Sequence, residues 1–172
     1  MHDINPVLCS NLPFDEPSGA PMKSLLIVYH SQSGASARLA RSAWRAARLE
    51  SAVEVHAMRA WEAGTRDLCQ ADGLLLVMAE NSAAMSGGMK DFLDRSFYPA
   101  IEHGLVVPYA LLVSAGNDGC GAVRQAQRIL SGYPFPPATE PVILRGEVSE
   151  AHLGASAELG QALAVGLSMG IY

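Results

Sequence analysis

The chain has 172 residues, about the size at which one hydrophobic core suffices, so a single globular domain is expected. Hydrophobic residues make up 49% and charged residues 17% of it, a balance that excludes intrinsic disorder, and no apolar run reaches the ~18 residues of a membrane span. Twelve Lys and Arg against 17 Asp and Glu give a formal charge of -5, which argues against a general binder of nucleic-acid phosphates.

Residues 1–21 contain Pro6, Pro13, Pro17 and Pro21 without helical or strand periodicity, and read as an N-terminal arm preceding a domain over 22–172. With no Lys or Arg and only scattered apolar residues, the arm does not have the pattern of a secretory signal. Cys9, Cys69 and Cys120 are widely spaced with no C-x-x-C pair, which indicates neither a disulfide framework nor a zinc site and fits a reducing cytoplasm.

From Ser24 onward, short apolar runs alternate with longer amphipathic segments. Leu25 to Tyr29 is too uniformly apolar for a sheet with one wet face, so it is expected to be a central parallel strand. A helix follows over residues 35–49, with Leu39, Ala40, Ala43 and Ala47 on one face and Arg38, Arg41, Arg45 and Arg48 on another. Strands are expected at Val53 to Ala57 and Leu74 to Met78, with a weaker stretch containing Trp61 and Leu68 between them. Residues 88–98 form the clearest helix, Met89, Phe92, Leu93, Ser96 and Phe97 on one side and the Asp91–Arg95 pair on the other. A fourth strand is expected from about Leu105 to Val113 with Pro108 early in it. A helix marked by Val123, Ala126 and Leu130 stops at Gly132 and Pro134. A fifth strand at Val142 to Leu144 and a last helix from Leu153 to Leu167 complete the chain. Strands alternating with helices in this way predict an open, doubly wound α/β sandwich whose ligand site lies at the carboxyl ends of its strands.

Three small-residue loops are expected at that edge. The first, His30-Ser31-Gln32-Ser33-Gly34-Ala35-Ser36, joins the first strand to the first helix. Unpaired amides and the positive end of the helix dipole there suit a monophosphate, although the same residues also make an ordinary serine-capped turn. The segment has neither the G-x-x-x-x-G-K-[ST] nor the G-x-G-x-x-G pattern, so a triphosphate or dinucleotide is not expected. The second loop, Ala79 to Gly88, and the third, Ser114 to Gly121, are rich in Gly, Ala and Ser. Together the three accommodate a ligand with a phosphate at one end and a flat ring at the other; taken singly, each is also accounted for by turn chemistry. Glu80, Asn117 and Asp118 are candidates to tune such a ring, and Asp118 equally suits a helix cap. The arginine stripe is either a solvated face or an attractor of a nucleotide phosphate. His30 adjoins the first loop, whereas His103 and His152 have no partner at metal-ligand spacing, so no metal site is expected.

Three segments, Ile27 to Ser36, Met85 to Arg95, and Ser114-Ala115-Gly116 with Gly119 and Gly121, resemble the flavodoxin-like FMN proteins, within them the NAD(P)H:quinone reductase and FMN reductase branch. The resemblance spans roughly Leu25 to Leu167, and its most specific part is Lys90 to Arg95. It implies a flavodoxin-like doubly wound five-stranded parallel sheet in a three-layer α/β sandwich. It also implies a noncovalent FMN whose phosphate sits on the Ser31, Gln32, Ser33, Gly34, Ala35, Ser36 loop. The ring would lie against Asn81, Ser82, Ala83, Ala84 and Met85 on one side and Ser114, Ala115, Gly116, Asn117, Asp118 and Gly119 on the other. The implied reaction takes electrons from NAD(P)H through the flavin to a quinone or similar small-molecule acceptor, in a homo-oligomer. Two departures stand out: the second loop offers no aromatic residue to stack on the ring, leaving Met85 or a neighbouring subunit, and Ala35-Ser36 replaces the Asn or His and then Thr of many relatives. Two rival readings are a one-electron carrier that docks through an acidic face, and a flavodoxin-shaped module with a degenerate site.

Overall fold

The computed structural model describes residues 22–172; the arm expected over residues 1–21, with Cys9, lies outside the described residues. The elements in chain order are β1 (Lys23–Tyr29), α1 (Ala35–Ala47), β2 (Val53–Arg59), α2 (Thr65–Cys69), β3 (Gly73–Asn81), β4 (Ala84–Met85), α3 (Gly87–Glu102), β5 (Tyr109–Ala115), α4 (Cys120–Leu130), β6 (Val142–Arg145) and α5 (Glu150–Ser168). Five parallel strands stand in the order β2-β1-β3-β5-β6, and the two-residue β4 pairs antiparallel with the end of β3. Strand order reverses direction between β1 and β3, which opens a crevice beyond their carboxyl ends.

Both faces of the sheet are covered, and the alternation of side chains along each strand divides the core in two. Leu25, Ile27, Leu75, Val77, Ala110 and Leu112 face α1 and α5, meeting Leu39, Ala43, Leu163 and Leu167. Leu26, Val28, Leu74, Leu76, Met78, Leu111 and Val113 face α2, α3 and α4, meeting Leu68, Phe92, Leu93, Ala126 and Leu130. A fully buried side chain of this size contributes about 1.5–3 kcal/mol, so the two sub-cores together make the central strands the most stable part of the molecule. The helices α1 and α5 cross so closely that a Cβ on Gly160 would stand 2.3 Å from the Ala43 carbonyl oxygen. The Ser156 hydroxyl donates to Leu39 O and that of Ser42 to Leu153 O across the same crossing.

Three expectations need correction. The fourth parallel strand, β5, starts at Tyr109 rather than about Leu105, and runs on to Ala115. Proline has no amide hydrogen to give to a ladder, so the segment through Pro108 only leads in, its carbonyl accepting from Leu74 N. The edge strand β2 extends to Arg59, beyond the expected end at Ala57, because Ala60 N donates to Tyr29 O and holds it in register. The second loop, expected as an open platform, is a tight β3–β4 hairpin whose two central residues, Ser82 (φ 50°) and Ala83 (φ 59°), occupy left-handed backbone without being glycine.

Candidate functional site

The first helix begins with none of the usual compensation for its orphan amides. Its N-cap is Gly34 in left-handed backbone (φ 96°), no side chain caps it, and its first turn carries no acid. Ser31 Oγ accepts from Gly34 N at 3.1 Å, which shapes the turn, and Arg38 N donates to Gly34 O. Among the described residues the amides of Ala35, Ser36 and Ala37 have no acceptor. The Ser36 side chain is 1% exposed, and its Oγ is buried with no hydrogen-bond partner. A buried hydroxyl without a partner costs about 1–3 kcal/mol, and among the described residues nothing accepts from the amides at this end of α1.

Four loops at the carboxyl edge of the sheet enclose a cleft of about 690 Å³ beside this helix start. Of the candidate residues, Ser33, Gly34, Ala35, Asn81, Ser114, Ala115 and Gly116 line it. Ala79 and Glu80, at the start of the second loop, line it too, and so do four residues not expected from the sequence, Arg38 and the β6–α5 turn Gly146-Glu147-Val148. Ser31, Gln32 and Ser36 lie in the same loop and first turn; Asn81 Nδ2 donates to Gln32 Oε1 at 3.2 Å, tying the first and second loops together. Gly146 N donates to Ala115 O and brings the fourth turn against the third loop. The signal for that turn was present in the topology, since every loop that follows a parallel strand emerges at the same edge.

The remaining candidates are placed elsewhere. Ser82, Ala83 and Ala84 form the hairpin and do not line the cleft, and Met85 is 4% exposed in the core beside Met89 and Phe92, so it is not available to stack on a ring. Asn117 and Asp118 are exposed beyond the cleft wall, and Gly119 is the left-handed N-cap of α4. Asp118 takes the capping role, its Oδ1 accepting from Cys120 N at 2.8 Å. Glu80, considered as a tuning group, is held from the other side. Its Oε2 accepts from Gly119 N at 3.1 Å, and its Oε1 from Gly121 N at 3.1 Å and Ala122 N at 3.4 Å. The carboxylate at the end of β3 thus occupies the start of α4 and locks the second and third loops to each other.

The arginine stripe divides by position. Arg38 lines the cleft, so its rim carries a cation as well as the carboxylates of Glu80 and Glu147, while Arg48 stacks on Trp44. His30, 8% exposed at the exit of β1, packs edge-on to Trp61 and so closely on Gly88 that a Cβ there would fall 2.2 Å from its ring. Among the described residues no aromatic side chain lines the cleft. Among the described residues no group of His, Cys, Asp and Glu is arranged to hold a metal ion, and no helix is long and apolar enough to cross a membrane.

No family model and no curated protein sequence matches the chain, but many solved structures do. A flavodoxin from the domain Archaea superposes with a TM-score of 0.71 at 17% identity, covering 83% of this chain and 96% of that one. The chain has a flavodoxin-like fold. A flavodoxin, WrbA-like protein from Agrobacterium tumefaciens gives 0.68 at 17% identity over 86% of this chain and 98% of that one. The Flv1 flavodiiron core from Synechocystis gives 0.73 at 15% identity over 88% of this chain but only 37% of that one, so the flavodoxin-like domain corresponds to one part of the larger protein. At these identities the likeness is one of fold, and the chemistry rests on the cleft itself.

Proposed function

We propose that the protein is an FMN-binding oxidoreductase that passes electrons from NAD(P)H through the flavin to a quinone or similar small acceptor. The observation that carries the reading is the helix start of α1, where, among the described residues, three amides have no acceptor and Ser36 Oγ has no hydrogen-bond partner. A dianionic phosphate would suit the open amides, and the hydroxyls of Ser31 and Ser33 stand within the same loop. The cleft beside it, 690 Å³ in volume, falls within the ~300–1,000 Å³ of small-ligand sites and is walled by the small residues Ala79, Ser114, Ala115 and Gly116, which let a flat ring approach the backbone. The likeness to flavodoxins and to a WrbA-like protein supports the same choice of ligand.

Bound FMN would supply the redox chemistry, accepting two electrons from a nicotinamide and releasing them to an acceptor. The chain's own contributions are positional. Gly34 and the first turn of α1 would hold the phosphate, Asn81 and Gln32 tie two loops together, and the Ala79–Asn81 and Ser114–Gly116 walls would flank the ring. Glu80 is committed to three amides of α4, so it fixes the walls rather than moving protons. Among the described residues no aromatic side chain lines the cleft, and a ring not covered by one would stay accessible to donor and acceptor in turn, which supports the reductase reading over the carrier.

The absorbance spectrum of the protein as purified, followed by FMN titration of the flavin-free form, tests binding. A yellow protein, or a colourless one that quenches FMN fluorescence at micromolar concentration, is expected; failure of both overturns the reading. Rapid mixing with NADH and with NADPH then tests the reaction. Loss of flavin absorbance that returns on adding a quinone is expected, and a flavin left oxidised by both nucleotides contradicts the reductase assignment while leaving flavin binding intact.

A further inference from the structure

A second cavity, of about 550 Å³, lies between α1 and the edge strand β2, away from the four-loop cleft. Its walls include Tyr29, Arg41, Trp44, Arg45, His56 and Arg59, and no Asp or Glu. Three guanidinium groups are thus gathered in one groove of a chain whose formal charge is -5. Among the described residues none of the three makes an ion pair; the Glu54 carboxylate is turned to His56 Nε2 at 3.1 Å, and that of Glu62 accepts from the Arg59 backbone amide at 3.4 Å. The helix that carries two of them, Ala35–Ala47, holds no acid at all. Arg41 and Arg45 stand one turn apart, a like-charge spacing that costs a few tenths of a kcal/mol in an isolated helix and has no compensating partner here.

The groove carries aromatic rings beside its cations. The Arg59 guanidinium lies 5.8 Å from the Tyr29 ring centre and 5.0 Å from that of Trp61. Trp44 Nε1 donates to Val55 O at 3.1 Å, which anchors the indole between helix and strand. Guanidinium forks match phosphate oxygens in pairs, and indole and phenol rings can stack on a base, Arg48 and Arg59 already lying over one face of Trp44 and of Tyr29. A volume of 550 Å³ accommodates a nucleoside carrying phosphates. We propose that the groove between α1 and β2 is a binding site for a nucleoside bisphosphate, its phosphates on Arg41, Arg45 and Arg59 and its base against the rings of Trp44 or Tyr29. This site is separate from the four-loop cleft and stands whether or not that cleft holds FMN.

The test is calorimetric titration of the full chain with adenosine 2′,5′-bisphosphate and, separately, with inorganic phosphate, while tryptophan fluorescence is followed. Expected are saturable binding of the bisphosphate with a change in tryptophan emission, at least tenfold tighter than inorganic phosphate and weakened by added salt. The double variant R41A/R45A, on the exposed face of α1, is expected to weaken it at least tenfold while its circular dichroism and its FMN titration stay as in the parent. Arg124→Ala on α4 serves as the control and leaves binding unchanged. The proposal is overturned if the bisphosphate does not bind, if inorganic phosphate binds equally well, if R41A/R45A retains the parent affinity, or if FMN displaces the bisphosphate. The last result would assign the probe to the α1 helix start instead, and failure of FMN to bind in a protein that still takes the bisphosphate would overturn only the flavin reading.

Discussion

The starts of α1 and α4 are built alike and finished differently. Both follow a central parallel strand, and both use a left-handed glycine as N-cap, Gly34 at φ 96° and Gly119 at φ 73°. At α4 the chain provides its own anion: Glu80 reaches over from β3 and accepts from three amides. At α1, among the described residues, no carboxylate accepts from the first-turn amides, three of them stay open and a serine hydroxyl is buried without a partner. Similar backbone geometry therefore gives a structural joint at α4, where Glu80 and Asp118 both accept from amides, and an open start at α1. A helix start becomes a binding site only where the protein declines to fill it.

That comparison is open to direct attack. The largest effect is expected from making α1 resemble α4. Ser33→Asp places a carboxylate beside the open amides, and FMN affinity is expected to fall by about 100-fold, roughly 2.7 kcal/mol, while the flavin-free protein melts no lower than the parent. Titration and thermal melting read the two arms; unchanged FMN affinity would mean that the phosphate sits elsewhere. The converse change, Glu80→Ala, strips three amides of their acceptor and is expected to cost about 2 kcal/mol in denaturant unfolding, loosening the hairpin and third loop together. A loss within error would show that water replaces the carboxylate at no cost.

Ser36→Ala is the more selective probe. Removing an unsatisfied hydroxyl is expected to leave the flavin-free protein as stable as before or slightly more so, yet to weaken FMN by about tenfold, the worth of one hydrogen bond to a charged group. Opposite signs for folding and binding at one residue are not produced by a merely structural serine. A smaller effect is expected at the hairpin, where Ala83 sits at φ 59°. Ala83→Gly relieves that strain and is expected to add about 1 kcal/mol to stability without moving FMN affinity, as measured by denaturant midpoint.

A control far from both helix starts lies in the core. Tyr133 is buried with its hydroxyl donating to Leu93 O, and burial, with Asp94 adding to it, pushes its phenol well above the ordinary 10.0. The folded state therefore holds this proton more tightly than the unfolded chain, so its contribution is complete below pH 10 and is lost as pH rises further toward the folded value. Chemical denaturation at about pH 8 and about pH 11 is expected to show a loss in the parent that Tyr133→Phe reduces. An equal loss in both would assign the alkaline transition to other groups.

The sequence made the central layer legible and left the closures obscure, for a physical reason. The strands β1 and β3 are continuous apolar runs that only a sheet covered on both sides accommodates, and α1 and α4 show their buried faces at helical spacing. The edge strand β2 was less distinct because Glu54, His56 and Arg59 are exposed along it. The β3–β4 hairpin was hidden because Ser82-Ala83 adopts backbone that turn residues such as Asn-Gly ordinarily signal. Most of the first loop and the walls from Asn81 and from Ser114 to Gly116 fell where small residues placed them. The cap from Glu80 to α4 spans some 40 positions of chain and has no local signature. The turn at Gly146 to Val148 was readable from topology alone, and Met85 was misplaced because a loop position gave no sign that it would enter the core.

The claim on which the rest depends is that the open start of α1 holds the phosphate of a flavin. Parallel fluorescence titrations of the flavin-free protein with FMN and with riboflavin, which differ only in that phosphate, test it most directly. Micromolar quenching by FMN and binding of riboflavin at least tenfold weaker are predicted; equal affinity for the two, or no quenching by either, would contradict the account.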